Sequence, residues 1–188
     1  MSTEDKFAWT KLSEKLVRTS PHYILAEKQY RLPNGKLKTA FVGNHRPFVV
    51  GLALTKDCEN VILAKEYRPG PEKSVIDLPS GAIEEGEDPT EAMRRELQEE
   101  TGWLGVPKLV NTSYAGPYSN QIRHTFVIHD CVRVGPQDLD QDEFIEVVVM
   151  PLDEFYHNLV VTGQTTNAAA ALYCLHHLGL LKFQKEQP

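Results

Sequence analysis

The stretch from Gly81 to Trp103, GAIEEGEDPTEAMRRELQEETGW, constrains the chain more than any other. Eight of its 23 residues are acidic: Glu84, Glu85, Glu87, Asp88, Glu91, Glu96, Glu99 and Glu100. Carboxylates this dense repel one another unless cations lie nearby or the groups point apart. The second half carries helix signals. Asp88 is an N-cap residue, Pro89 suits the first helical position, and Glu91 completes an Asp-x-x-Glu capping box. Gly102 stands where a helix takes its left-handed C′ residue. Between these ends Glu96, Glu99 and Glu100 are spaced i, i+3, i+4 and share one face, with Met93 and Leu97 as an apolar flank. A solvated acidic face is the ordinary explanation of such a helix. The Gly-rich acidic loop before it favours another, because hard divalent cations take oxygen ligands and a turn followed by a carboxylate face holds them beside a phosphate.

The spacing is specific. Gly81, Glu87, Arg95, Glu96, Leu97, Glu99, Glu100, Gly102 and Trp103 fit the pattern G-x5-E-x7-R-E-U-x-E-E-x-G-U, where U is apolar. From average residue usage, a match at one given position has a probability on the order of 10⁻⁹. The stretch resembles the Nudix box, with Trp103 bulkier than the usual aliphatic residue.

The rest of the chain sets bounds. Its 188 residues suit one domain with a small accessory region, and 41% hydrophobic residues suffice for a core. A net charge of −6 gives no general electrostatic case for nucleic acid or anionic membranes, so an anionic substrate needs a local positive site, which bound metal can supply. Cys58, Cys131 and Cys174 lie far apart without a CxxC pair and read as reduced, buried thiols of a cytoplasmic protein. The N-terminal residues lack an apolar signal core, and no run approaches a membrane span. The seven histidines show no ligand spacing and read as structural or surface groups.

Along the chain, residues 1–20 carry a weak helical tendency. A hairpin is expected from Tyr23 to Val42 around Pro33-Asn34-Gly35. PFVVGLALT reads as a strand buried on both faces. VILAKEY, SVIDLP, KLVNTSYA, IRHTFVIHDCV and FIEVVVMP read as further strands, with an acidic turn-rich loop, GPQDLDQDE, before the last. Leu152–Leu159 is expected as a short helix, and a longer one from Thr165 or Thr166 to near Gly179 or Phe183. The order fits an α+β fold, an α/β/α sandwich with helices against a mixed sheet. The resemblance implies the Nudix version of it: an N-terminal antiparallel strand region at 1–46, concerned with dimerisation, and a hydrolase domain at 47–188.

Outside the box the chain is most similar to the ADP-ribose and nucleoside diphosphate sugar pyrophosphatase branch. Glu66-Tyr67-Arg68 resembles that branch's Gln-Phe/Tyr-Arg, and Leu78-Pro79-Ser80-Gly81 its Leu-Pro-Ala-Gly. Pro117 lies 15 residues after Gly102, near a proline of the branch. Glu143-Phe144-Ile145-Glu146-Val147 resembles its acidic loop and following strand. The resemblance implies Mg2+, with Mn2+ as the alternative, held by Glu96, Glu99, Glu100 and the Ser80 carbonyl. It implies Arg95 paired with Glu87 to orient the carboxylates. It implies a general base from the loop beyond the box, where Glu143 is the best match, with Glu99 and Glu146 as fallbacks. Arg68 is expected on a phosphate, and Pro117, Ser119 and Asn120 beside substrate. Tyr23 and Trp9 are candidates for stacking on a base, although core or dimer packing is the commoner role.

The reading is Mg2+-dependent hydrolysis of ADP-ribose or a related nucleoside diphosphate sugar to a nucleoside monophosphate and a sugar phosphate, by a cytoplasmic homodimer without nucleic-acid or membrane partners. The alternatives are a pyrophosphatase of dinucleoside polyphosphates, NADH or coenzyme A, and a non-catalytic nucleotide-sugar-binding sensor. An intact set of Arg95, Glu96, Glu99 and Glu100 weighs against the sensor.

Overall fold

In the computed structural model, residues 5–18 and 24–181 are described. They fall into two compact units, Met1–Pro47 with Tyr114–Ile122 and Phe48–Ser113 with Arg123–Pro188.

The first unit contains a three-stranded antiparallel sheet of β1 (Thr10–Arg18), β2 (Ile24–Arg31) and β3 (Leu37–Gly43), in that order. The expected β2–β3 hairpin is present. Gly35 sits at φ 81°, and the Asn34 side chain accepts the Lys36 N–H at 3.1 Å. Where a weak helical tendency was expected, residues 10–18 form β1. The cause is tertiary: β2 pairs with β1 from Thr10↔Arg31 to Arg18↔Ile24, with one irregularity between Lys11 and Ser13, and Glu14 faces Lys28 with 3.5 Å between charges. The loop Tyr114–Ile122 is bonded to the end of β3. Gly43 N–H donates to the Tyr118 carbonyl at 2.8 Å, Asn120 N–H to the Gly43 carbonyl at 3.0 Å, and His45 N–H to Asn120 Oδ1 at 2.9 Å.

The second unit is built on a seven-stranded mixed sheet. Its members are β4 (Phe48–Thr55), β5 (Asn60–Arg68), β6 (Lys73–Asp77), β7 (Ser80–Ala82), β8 (Trp103–Tyr114), β9 (Ile122–Arg133) and β10 (Glu146–Pro151). The main path runs β10-β5-β4-β9-β8, with β6 on β5 and β7 on β4. β4 is antiparallel to β5 and β7 and parallel to β9. Helices α1 (Pro89–Thr101), α2 (Leu152–Phe155) and α3 (Ala168–His177) complete the unit.

Residues Val49–Leu54 of β4 are buried throughout. Successive side chains of a strand point to opposite faces. Val49 and Ala53, with Ile62, Phe126 and Ile128, pack against Ala92, Met93 and Leu97 of α1. Val50, Leu52 and Leu54, with Leu63 and Val127, pack against Phe155 and against Ala170, Ala171, Cys174 and Leu175 of α3. The sheet thus has α1 on one face and α3 on the other, the α/β/α sandwich expected. Gly51 lets α1 come close, because a Cβ there would lie 2.8 Å from the Met93 sulfur. Truncating Leu97 to Ala in such a core costs roughly 2–5 kcal/mol.

The short helix expected over Leu152–Leu159 is present in two parts, and the last helix starts later than expected. α2 ends at Phe155 and passes into one π-helical turn, Tyr156–Val160. α3 begins at Ala168 and not at Thr165 or Thr166. Asp77, buried at the end of β6, takes hold of the preceding segment: its carboxylate accepts Thr165 Oγ1 at 2.6 Å, Thr166 N–H at 2.9 Å, and the Thr166 hydroxyl. A distant carboxylate thus satisfies groups that a local cap would otherwise serve. Among the described residues no helix is long and apolar enough to cross a membrane.

Candidate active site

β7 pairs with β4 in the register Val50↔Ser80 and Val49↔Gly81, and its chain then turns into the acidic loop and α1. The helix begins as its sequence requires. Asp88 accepts the Thr90 N–H at 2.8 Å, Pro89 follows, and Gly102 closes the helix at φ 73° with its N–H on the Gln98 carbonyl. The capping box is only half formed, because the Glu91 carboxylate pairs instead with Arg94 one turn along.

Arg95 organises the carboxylates. Its Nε and Nη2 grip Glu87 at 2.9 and 3.0 Å, the two-pronged geometry that suits guanidinium to carboxylate. Nη1 donates to Glu96 at 2.8 Å and to Glu99 at 3.0 Å, and Nη2 also reaches the Ala82 carbonyl at 3.1 Å. The Arg95 bond holds the Glu87 carboxyl below its usual range. Burial pushes Glu96 up to about 6, against the opposing pull of Arg95. Burial also pushes Glu100 well above the usual carboxylate range, opposed by the Ser80 N–H that meets its Oε2 at 3.0 Å. Gly81 has no side chain for a local reason: a Cβ there would collide with the Glu96 carboxylate.

A loop from the end of β9 closes over this face. Val134 N–H donates to the Gly102 carbonyl at 2.9 Å, and Asp138 N–H to the Glu99 carbonyl at 3.0 Å. The cleft so formed holds about 260 Å3 and gathers Glu84, Glu96, Glu99 and Glu100 with Asp138, Asp140 and Glu143. Arg95 is the cation lining it. The structure therefore brings Glu143 to the box glutamates it was grouped with from sequence. Glu146 turns away onto Lys65 at 2.8 Å. Arg68, at the end of β5, bonds Glu66 at 2.9 Å, and its charge is felt at Glu100. Sequence reading gave no site role to Asp138 or Asp140, and named Glu84 only as one of the acidic residues of the loop. The acidic composition of GPQDLDQDE was the available signal, but the fold that turns it toward α1 had none.

The other expected residues lie in the first unit. Trp9 meets Tyr30 edge-on at 5.5 Å and carries Lys38 Nζ 4.7 Å above its ring, which is packing on that sheet. Pro117 and Ser119 belong to the loop bonded to β3. Tyr23 lies outside the described residues. Cys131 and Cys174 are buried as expected, whereas Cys58 is exposed because it occupies a turn at φ 61° after β4.

A carboxylate-faced loop and helix docked on a mixed sheet form an arrangement suited to holding a divalent cation beside a phosphate. Residues 45–170 match the NUDIX domain, and the chain belongs to the Nudix family of hydrolases. It is 33% identical over 153 residues to an ADP-ribose pyrophosphatase of Bacillus subtilis (strain 168), covering 79% of this chain and 80% of that one. It is 35% identical over 112 residues to an ADP-sugar pyrophosphatase of Mus musculus, covering 56% of this chain and 51% of that one. A crystal structure of an ADP compounds hydrolase superposes with a TM-score of 0.73 over 92% of this chain and 97% of the other; at 22% identity this likeness speaks for the fold.

Nudix hydrolases need a divalent metal. The donor set fits one. Every carboxylate of the cleft is a hard oxygen donor, and burial keeps Glu96 and Glu100 from ionising readily unless positive charge arrives. Among the described residues no three His, Cys, Asp or Glu side chains already converge on one point. The reason is visible: Arg95 holds Glu96 and Glu99, and the Ser80 N–H holds Glu100.

Proposed function

We propose that this chain hydrolyses the pyrophosphate bond of ADP-ribose or a related nucleoside diphosphate sugar with Mg2+ or Mn2+, releasing a nucleoside monophosphate and a sugar phosphate. The observation that carries the reading is the cleft in which Glu143 faces Glu96, Glu99 and Glu100. The names of the Bacillus and mouse relatives support the substrate class.

Glu96, Glu99, Glu100 and the Ser80 carbonyl would hold the metal. When bound, it neutralises phosphate charge and makes phosphorus easier to attack. Arg95 orients the carboxylates, and Arg68 binds a phosphate oxygen. Glu143 takes a proton from the attacking water as its oxygen bonds to phosphorus. The bridging P–O bond breaks, and the leaving phosphate departs with the electron pair. The strand region at 1–46 builds a homodimer, and Tyr23, Pro117 and Ser119 bind substrate. The protein works in the cytoplasm on small molecules and not on nucleic acid or membranes.

The test is a turnover panel of nucleoside diphosphate sugars with and without Mg2+, products separated chromatographically, for wild type and Glu100→Gln. Metal-dependent release of nucleoside monophosphate that the variant loses is expected. Equal turnover by both proteins would overturn the assignment.

A further inference from the structure

We infer that Asp77 is a positioning residue for the metal site, fixing the Ser80 peptide against Glu100 from the other end of a two-residue crossing; the assignment rests on the metal-dependent reading above. Asp77 is the last residue of β6 and pairs with Ala64 of β5. Ser80 is the first of β7 and pairs with Val50 of β4. Leu78 and Pro79 alone carry the chain from one ladder to the other. The Pro79 ring fixes its φ, and Leu78 is buried in the core shared with α3. So short a crossing has little freedom to absorb a shift at either end.

The Ser80 end meets the carboxylates. Gly51 N–H donates to the Pro79 carbonyl at 3.0 Å, and Ser80 N–H to Glu100 Oε2 at 3.0 Å. Gly81, the next residue, lies against the Glu96 carboxylate. The position of the Ser80 peptide therefore sets where the Glu100 carboxylate is held and where the Ser80 carbonyl meets a cation.

The Asp77 end is held by more than the start of a helix needs. Its carboxylate accepts Leu78 N–H at 2.9 Å besides the three donors of Thr165 and Thr166. A carboxylate has about four acceptor sites, so this one is saturated. All four donors are backbone amides or hydroxyls, and Asp77 is 3% exposed. Burying a charge without an opposite charge is unfavourable, and a neutral Ser or Asn caps a helix without it. The second attachment accounts for the carboxylate. One oxygen, Oδ1, accepts both Leu78 N–H and Thr165 Oγ1, and so ties the crossing to the segment before α3.

The test uses Asp77→Asn, which keeps the shape and loses an acceptor. In metal-free protein we expect the Ser80 amide to exchange its hydrogen about 10-fold faster than in wild type, with Leu63 of β5 unchanged. Mn2+ binding, followed by electron paramagnetic resonance of the free ion, is expected to weaken about 10-fold, the lower end of the scale for groups that orient metal ligands. In a Glu100→Gln background the same substitution adds no further loss. Equal acceleration at Ser80 and Leu63 would mean that Asp77 only stabilises the fold, and overturns the proposal. An unchanged Mn2+ affinity overturns it too, as does an undiminished effect in the Glu100→Gln background. If wild type neither binds Mn2+ nor cleaves a nucleoside diphosphate sugar, the metal-dependent reading fails by itself, and exchange at Ser80 alone decides whether Asp77 positions that peptide. If Asp77→Asn does not fold, Thr166→Val removes one hydroxyl and keeps the Thr166 N–H bond. Effects of about 3-fold on both measurements are then expected, the scale of one hydrogen bond, and wild-type values overturn the proposal.

Discussion

The side-chain amide of Gln137 donates to the backbone carbonyl of Glu100 at 2.6 Å. Through its second bond to Ile145, it ties both ends of the loop carrying Glu143 to the helix carrying the carboxylates. In Gln137→Ala we expect kcat to fall about 10- to 100-fold, the usual scale for losing a group that positions others, with the fold retained. Steady-state kinetics and thermal melting check this. A wild-type kcat would show that the loop holds its place without Gln137.

Glu143→Gln removes a base and keeps its volume. We expect kcat to fall roughly 100-fold or more, the scale of general base catalysis, with an unchanged melting temperature. Activity close to wild type would transfer the role to Glu99.

Replacing Arg95 by Lys keeps one charge and loses the fork. Glu87 and Glu96 then lose well-aligned donors in partly buried positions. The expected cost is about 1–3 kcal/mol, read from denaturant unfolding, with Lys recovering little of it. Full stability in Arg95→Lys would mean that point charge suffices.

The raised folded-state range of Glu96 has a definite sign. A carboxyl whose value rises on folding binds protons more readily in the folded chain, so its contribution is present at low pH and fades as pH rises through about 6. The move from 4.5 to about 6 corresponds to about 2 kcal/mol. With chelator present, the stability of wild type relative to Glu96→Gln is expected to fall between pH 4 and pH 7, and Mg2+ to restore more at pH 7 than at pH 4. A pH-independent difference between the two proteins would refute the assignment.

Burial pushes the Cys131 and Cys174 thiols up to about 12. The thiolate is the reactive form, so at pH 8 a disulfide reagent is expected to label Cys58 alone in the folded protein and all three cysteines after unfolding. Rapid labelling of Cys174 in folded protein would contradict its burial on the core-facing side of α3.

Local signals were legible where chemistry and geometry coincide in a short span. The loop–helix at 81–103 declared its caps, its carboxylate face and its arginine, because i, i+3, i+4 spacing alone sets that face. β4 declared itself by an unbroken apolar run. Features set by partners far away in the chain were silent. Residues 10–18 become a strand because β2 is there to pair with them. The start of α3 is fixed by Asp77, more than 80 positions earlier. The Tyr114–Ile122 loop joins the first unit through bonds to Gly43 and His45 that no local pattern encodes. Glu91 chose Arg94 over its own cap because both options were local and the pattern did not rank them.

β4 acts as a reading frame. Its alternate residues supply the cores beneath α1 and α3, and its ladder with β7 sets Gly81 under the Glu96 carboxylate. Deleting one residue from its middle would turn every residue beyond the deletion to the opposite face and shift the ladder that places Gly81. Length variation is therefore far more costly here than in the Pro33–Gly35 turn. Folding and catalysis share a single point of failure, and a chain with a frame-shifted β4 loses both together.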